Sequence, residues 1–403
     1  MKEAFRQAIP VLNKIESAGY EAYFVGGSVR DFLLDKEIAD VDIATSATPE
    51  ELKSIFSKTL DVGIEHGTVV VLFNGIPYEV TTFRTEAEYL DFRRPSEVHF
   101  IRSLEEDLKR RDFTMNAIAM DRHGKFIDPF GGKKAIEERV IRTVGNPDER
   151  FTEDALRMMR AVRFFSQLSF EIEKSTYEAL SSLAHLLEKI AVERKLAEFE
   201  KLLAGRNRMM ALKIVGETGL YKYLPQMTAF QRQLCSSANY HAEGLTGEEM
   251  WGFLTCLFDI DQASAESFFK SWNLPVKKTR KILSILKWIR YRSDNEWDAY
   301  SLYQAGRESS LSAERIHNVL QHTELKRNTD NLMELYNSLP IKQRSELQLT
   351  GNDLMNWFGK PPGAWIKADL KKAENAVLKG ELKNSNESIR EWLMKCNQNL
   401  GKN

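Results

Sequence analysis

Every segment with strand character in this 403-residue chain lies before about residue 142, and from about residue 148 onward nearly every segment has helical spacing. A chain divided in this way reads as α+β: an N-terminal head with a small mixed sheet and helices, followed by all-α domains. The divisions expected from the pattern are a head over 1–140, a helical neck over 141–206, a helical body over 207–310 and a helical tail over 311–403. No fixed-period repeat is evident.

Local signals fill in the head. Phe5, Ile9, Leu12 and Ile15 recur at helical spacing within residues 2–18 and predict an opening helix. Thr48-Pro49-Glu50-Glu51 predicts a helix start, with Thr48 as N-cap and Pro49 in the first turn. The runs Val69–Phe73 and Ile76–Phe83 flank Asn74-Gly75, a strong short-range signal for a β-hairpin. Ser103–Arg111 reads as a helix with Ser103 as cap and Glu106 as its capping-box partner. Residues 84–100 are charged and aperiodic and read as a mobile loop.

Chemistry concentrates in Tyr23–Ala44 (YFVGGSVRDFLLDKEIADVDIA), where a short strand runs into Gly26-Gly27 and then a short helix. A second strand-like run carries Asp40 and Asp42, two apart and so on one face of a strand. Two carboxylates there repel unless a cation sits between them, and a hard ion such as Mg²⁺ suits oxygen ligands. The glycine backbone and the helix start favour an approaching anion, with Arg30 placed to add charge. A tight turn followed by a solvated acidic strand end accounts for the same residues. Glu79, on the second hairpin strand, reads either as a third carboxylate of that site or as a cross-strand or solvent-facing side chain.

Net charge is −1, which argues against a generic nucleic-acid binder, so any RNA partner needs local basic surfaces. Pro275–Arg292 is one candidate: Lys277, Lys278, Arg280 and Lys281 lie on it with Ile282, Ile285, Leu286 and Ile289 as its core face. The basic side reads as an RNA-backbone surface or as a solvated helix face. Most of the aromatics Phe253, Phe258, Phe268, Phe269, Trp272 and Trp288 read as core. No run of about 18 apolar residues or signal-peptide core is present. The three scattered cysteines show no disulfide or zinc spacing. The expected location is the cytoplasm, with no membrane and no obligate protein partner.

In order along the chain, GG-x-x-R-D (26–31), D-x-D (40–42), Arg110–Ala117 as R-R-D-F-T-M-N-A, Asp128–Gly132 and E-D-x-x-R (153–157) resemble the class II tRNA nucleotidyltransferases. These are the CCA-adding enzymes and their bacterial poly(A) polymerase relatives, with a polymerase-β-like nucleotidyltransferase head. The resemblance implies transfer of CMP, CMP and AMP from CTP and ATP to the 3′ end of tRNA. It implies two Mg²⁺ ions held by Asp40 and Asp42, one lowering the pKa of the terminal hydroxyl and the other stabilising the α-phosphate and leaving group. It places Gly27, Arg30 and Arg111 on the nucleotide, Asp112 at its ribose and Asp154 with Arg157 at its base. Arg160 and Arg163 continue that side as a basic ribbon.

Asp154 and Arg157, three apart, read as helix neighbours, and an ordinary i,i+3 ion pair is the plain account of them. The template reading rests on hydrogen-bond chemistry: Asp only accepts and Arg only donates. Cytosine and adenine both offer an amino donor beside a ring-nitrogen acceptor, and uracil and guanine offer the reverse. Such a pair complements C and A alone. The resemblance also implies that the 84–100 loop helps switch from C to A, and that 191–203 buttresses the template helix through Glu193, Arg194 and Glu198. It further implies that residues 349–393 grip the tRNA elbow while the acceptor stem reaches the head. The nearest rivals are a poly(A) polymerase and a partial CC- or A-adding enzyme; a rival of another class is a non-catalytic RNA-binding scaffold. A neutral C-terminus disfavours the first, an intact loop the CC-adding form, and intact Asp40 and Asp42 the scaffold.

Overall fold

A computed structural model describes residues 1–62, 67–86, 98–323 and 325–400. The chain divides into two compact units, Met1–Asn239 with Ser271–Asn273, and Tyr240–Lys270 with Leu274–Asn403.

The first unit opens with helix α1 (Glu3–Ser17), which buries Phe5, Ala8, Val11, Leu12 and Ile15, the stripe that helical spacing dictates. Strand β1 (Ala22–Val25) leads through Gly26 into the short helix α2 (Gly27–Leu33). Strand β2 is Asp42–Thr45, so it begins at Asp42, and Asp40 lies two residues ahead of it in exposed coil. This corrects the expected strand-face pair: the alternation that would align the two carboxylates does not reach Asp40.

Helix α3 (Pro49–Ile55) starts with the full capping box, Glu51 N–H donating to Thr48 and the Glu51 carboxylate accepting from Thr48 N–H. Strand β3 (Thr59–Asp61) precedes the hairpin β4 (Thr68–Phe73) and β5 (Ile76–Thr82). Its turn has φ +52° at Asn74 and +80° at Gly75, the backbone that favours this dipeptide. The stretch 84–100 read as a loop is corrected at its two ends, which form a strand pair, β6 (Arg84–Glu86) with β7 (Val98–Phe100); the part at 87–97 lies outside the described residues.

Helix α4 (Leu104–Lys109) shows the first bond of its expected capping box, Glu106 N–H to Ser103. Strands β8 (Ala119–Met120) and β9 (Phe126–Ile127) complete a seven-stranded sheet of order β3-β4-β5-β2-β1-β8-β9. All its pairings are antiparallel except β2 with β5. Sheet structure extends slightly further than the sequence suggests. After helix α5 (Gly132–Glu137), strand β10 (Val140–Ile141) pairs in parallel with β11 (Glu171–Ile172).

Between those two strands stand helices α6 (Pro147–Glu153) and α7 (Leu156–Leu168). Helices α8 (Lys174–Leu183), α9 (Val192–Leu203), α10 (Arg208–Glu217) and α11 (Gln231–Ser236) follow.

The second unit is helical throughout its described residues: α12 (Gly247–Leu257), α13 (Gln262–Ser271), α14 (Val276–Asp294), α15 (Ala299–Leu320), α16 (Leu325–Asn337), α17 (Gly351–Phe358), α18 (Ala364–Leu378) and α19 (Asn386–Leu400). Helix α14 buries Ile282, Ile285, Leu286 and Ile289 as their spacing predicts, and the expected core aromatics are buried. Helix α15 is kinked at Gly306, where φ is +69°. Cys235, Cys256 and Cys396 are free thiols. Among the described residues no helix is long and apolar enough to cross a membrane.

Candidate active site

The first unit has a cavity of about 750 Å³ lined from the central strands β2 and β5, the turn after α4, and the helices α7 and α9. Its size is that of a small-molecule site. Its lining is unusual in charge: eight arginines (30, 84, 110, 111, 157, 160, 163 and 194) face four carboxylates (Asp42, Glu79, Asp112 and Asp154).

Parallel pairing of β2 with β5 sets Asp42 directly opposite Glu79, so Glu79 is an exposed cross-strand neighbour of that carboxylate and also lines the cavity. Burial raises the Asp42 pKa, the Glu79 charge raises it further, Arg111 opposes the rise, and Asp40 adds to it. Arg111 thus offsets only part of what burial and Glu79 do to the Asp42 carboxylate. Gly26 makes room for it. Its φ of +69° suits glycine, and a β-carbon there would stand 3.2 Å from Arg111 Nη1 and 3.5 Å from Asp42 Oδ2. Gly27 has no such conflict, since a β-carbon would make an ordinary 3.6 Å contact with Arg30 Nη2, but it lines the cavity.

Asp112 and Asp154, by contrast, are paired with arginines. Asp112 is buried; its Oδ1 accepts from Phe113 N–H (2.8 Å) and Asn116 Nδ2 (3.0 Å), and its Oδ2 from Arg160 Nε (2.7 Å). Burial alone would raise its pKa, yet the Arg160 guanidinium and these hydrogen bonds hold it at about 2. Asn116 also accepts from Arg30 Nη1 at 2.7 Å, and Arg30 pairs with Asp31. The guanidiniums of Arg30, Arg160 and Arg163 lie 5.1, 5.7 and 4.0 Å from the centroid of the Phe164 ring. Arg163 Nε is 2.8 Å from Glu198 Oε2, an ion-pair distance without hydrogen-bond geometry. Burial, opposed by Glu198, brings the Arg163 pKa down to about 10. The basic ribbon expected along α7 is thus a packed and partly compensated wall.

Asp154 is not on a helix with Arg157. It occupies the extended link between α6 and α7, with φ −137° and ψ 102°. From there its Oδ1 accepts Leu156 N–H at the start of α7, and its Oδ2 pairs with Arg194 Nη2 of α9 at 2.8 Å. Arg157 pairs with Glu153, and its Nη2 donates to the Arg110 carbonyl at 2.9 Å. These contacts replace the expected i,i+3 neighbours: pairing on one helix face requires continuous helix, and the chain breaks helix at Asp154. Both side chains still line the cavity.

The structure therefore gathers Gly27, Arg30, Asp42, Glu79, Arg111, Asp112, Asp154, Arg157, Arg160 and Arg163 around one space. Asp40 stands just outside its lining. Lys277, Lys278, Arg280 and Lys281 lie on α14 of the second unit, where Lys281 pairs with Glu248 at 3.8 Å. Sequence reasoning did not assign Arg84, Asn116, Phe164 or the buried Asp107 to the site; Arg194 and Glu198, expected as buttresses, do pair with Asp154 and Arg163. Asp107 had a signal, standing three and four residues before Arg110 and Arg111 on helix α4 and its C-terminal end.

Paired acidic and basic walls on a mixed sheet define a nucleotidyltransferase head, and the family models agree. The poly A polymerase head domain matches residues 22–142, and the probable RNA and SrmB-binding site of polymerase A matches 169–231. The putative tRNA nucleotidyltransferase domain 2 matches 244–393. A CCA-adding enzyme of a Geobacillus species is 50% identical over 407 residues, covering 100% of both chains. One of Bacillus cereus is 48% identical over 400 residues, covering 98% of this chain and 99% of its own. The crystal structure of the Bacillus stearothermophilus CCA-adding enzyme in complex with CTP superposes with a TM-score of 0.91 at 45% identity, covering 100% of both. A Thermotoga maritima CCA-adding enzyme complexed with tRNA shares the fold, with a TM-score of 0.65 at 20% identity over 98% of this chain and 96% of its own. The chain belongs to the family of CCA-adding enzymes, which are tRNA nucleotidyltransferases.

Proposed function

We propose that this cavity binds CTP and then ATP, and that the chain uses them to extend the 3′ end of tRNA by C, C and A. The observation that carries this reading is the arginine excess, eight guanidiniums to four carboxylates, in one cavity with the Asp42–Glu79 pair. A triphosphate fits the first and a divalent cation the second.

The reaction joins the oxygen of the tRNA 3′-hydroxyl to the α-phosphorus, gives the hydroxyl proton to solvent, breaks the bond from that phosphorus to the α,β-bridging oxygen, and releases pyrophosphate. Arg30 and Arg111 clamp phosphate oxygens beside the Gly26-Gly27 backbone. Asp112 lies at the ribose; its acceptor positions are held by Phe113, Asn116 and Arg160, so a ribose hydroxyl binds there by displacing an Arg160 N–H. Asp154 accepts the exocyclic amino group of C or A, and Arg157 donates to the adjacent ring nitrogen. Arg194 fixes the Asp154 carboxylate, and Glu153 with the Arg110 carbonyl fixes the plane of Arg157. Uracil or guanine meets two mismatched groups, at a cost of about 1–3 kcal/mol.

Asp42 with Asp40, and Glu79 beside Asp42, would hold Mg²⁺. Among the described residues no three such side chains are gathered closely enough to hold an ion; strand pairing brings together Asp42 and Glu79. When bound, Mg²⁺ supplies Lewis-acid stabilisation of charge on the reacting oxygens. Lys277, Lys278, Arg280 and Lys281 serve the tRNA backbone, and the place of action is the cytoplasm.

The test is incorporation into a tRNA transcript lacking CCA, with products resolved to single nucleotides. CTP alone should give two additions and CTP with ATP three, with Asp154→Ala losing base selection. Long A tracts from ATP alone would replace this reading with poly(A) synthesis.

A further inference from the structure

Behind the arginine wall lies Asp107, 1% exposed and not itself part of the cavity lining. One carboxylate there serves three residues that are. Asp107 Oδ1 accepts from Arg110 Nε (3.0 Å), Arg110 Nη2 (2.7 Å) and the Arg84 backbone N–H (3.3 Å), and its Oδ2 from Arg111 Nη2 (3.3 Å). Arg111 has a second carboxylate close by. Its Nη1 and Asp42 Oδ2 stand against the same side of Gly26, 3.2 and 3.5 Å from where a β-carbon would be.

We propose that Asp107 is a positioning residue that decides which carboxylate Arg111 serves, holding it with Arg110 for the phosphates and keeping it off Asp42. The assignment rests on the reading of the cavity as a nucleoside triphosphate site. Arg110 and Arg111 are consecutive cations that repel each other unless an anion lies between them. With the Asp107 charge removed, Asp42 becomes the anion within reach of Arg111. A guanidinium there takes lone pairs that a cation needs, and is lost to the phosphate clamp. One substitution behind the wall therefore weakens two sites in front of it. Asp107 can do this because it remains charged: burial raises its pKa, but Arg110 and Arg111 outweigh that and leave it lowered. Its bond to Arg84 N–H also ties the clamp to the first residue of β6.

The test uses the full chain and two binding measurements that need no turnover. CTP binding is measured in EDTA, and Mn²⁺ binding is measured by electron paramagnetic resonance without nucleotide. Asp107→Asn should weaken CTP by about tenfold or more and also weaken Mn²⁺. Arg111→Gln should leave Mn²⁺ binding intact, and Asp107→Asn added to it should cost Mn²⁺ nothing further, the non-additivity expected of one coupled unit. A variant that only melts earlier, with Mn²⁺ bound as in wild type, overturns the assignment, as does an equal Mn²⁺ loss in the Arg111→Gln background. If Asp107→Asn does not fold, Asp107→Glu carries the test: it keeps the charge and should hold Mn²⁺ within about twofold of wild type, and a larger loss overturns the assignment. Wild-type protein that binds neither CTP nor ATP would fail the reading of the cavity itself. Wild-type binding with an unaffected Asp107→Asn variant fails only the role of Asp107.

Discussion

Asp42 and Asp112 face the same cavity, and burial has opposite outcomes for them. Asp112 meets Arg160, Asn116 and a backbone N–H and titrates at about 2. Asp42 meets another carboxylate, Glu79, and is raised. The difference marks two kinds of acid, Asp112 buried and Asp42 half-buried. A compensated carboxylate holds the structure around it in one arrangement, and an uncompensated one is held ready for a partner that arrives with the substrate. Asp42 belongs to the β2/β5 pair and Asp112 to the arginine cluster, and both line the one cavity.

The comparison is broken most sharply at Asp42. Asp42→Asn should lower nucleotide incorporation by about 10³-fold or more, the scale expected when a key charge-stabilising group is lost. Its stability should be unchanged or higher. The folded chain holds the Asp42 proton more tightly than the unfolded chain does, so the ionised group costs stability as pH rises through its folded pKa, and an amide removes that cost. A unfolding midpoint well below wild type in urea would contradict this.

Asp112→Asn should do the reverse to stability, costing about 3 kcal/mol because Arg160 and Asn116 lose the anion between them. The sign with pH follows from the depressed pKa. The contribution is present above the unfolded value near 4, and it is lost as pH falls toward the folded value of about 2. Urea unfolding of wild type and variant should differ by a constant amount from pH 7 to about 5 and converge below about 4. A difference that already shrinks between pH 7 and 5 would mean another group is responsible.

The smallest effect is expected at Arg194, whose carboxylate partner is the one that reads the base. Arg194→Gln frees one oxygen of Asp154 while leaving its bond from Leu156 N–H. Preference for CTP over UTP, as a ratio of kcat/KM, should fall about tenfold, with a smaller change in CTP turnover. An unchanged ratio with slower turnover would make Arg194 a strut and nothing more.

Much of the fold was legible because short-range rules decide it. The Asn74-Gly75 turn has positive φ at both residues, Thr48 and Glu51 close their capping box, and α1 and α14 bury the faces their spacing marks. Motif residues from 26 to 163 were legible as a set because each segment carries its own spacing. Their pairings were not. The expected Asp154–Arg157 neighbours were misplaced because the helix breaks one residue before it was needed, and Arg194, the partner of Asp154, lies 40 residues away.

The sequence by itself determined the class of chemistry: which segments are strands and helices, and that carboxylates and arginines of these types stand in this order. Tertiary structure decided which acid each base serves. Parallel pairing of β2 with β5 put Glu79 beside Asp42, and packing of α7 brought Arg160 onto Asp112. Local propensities act over about four residues, whereas an ion pair forms wherever packing brings opposite charges within a few ångströms, and no periodicity in the chain records that choice.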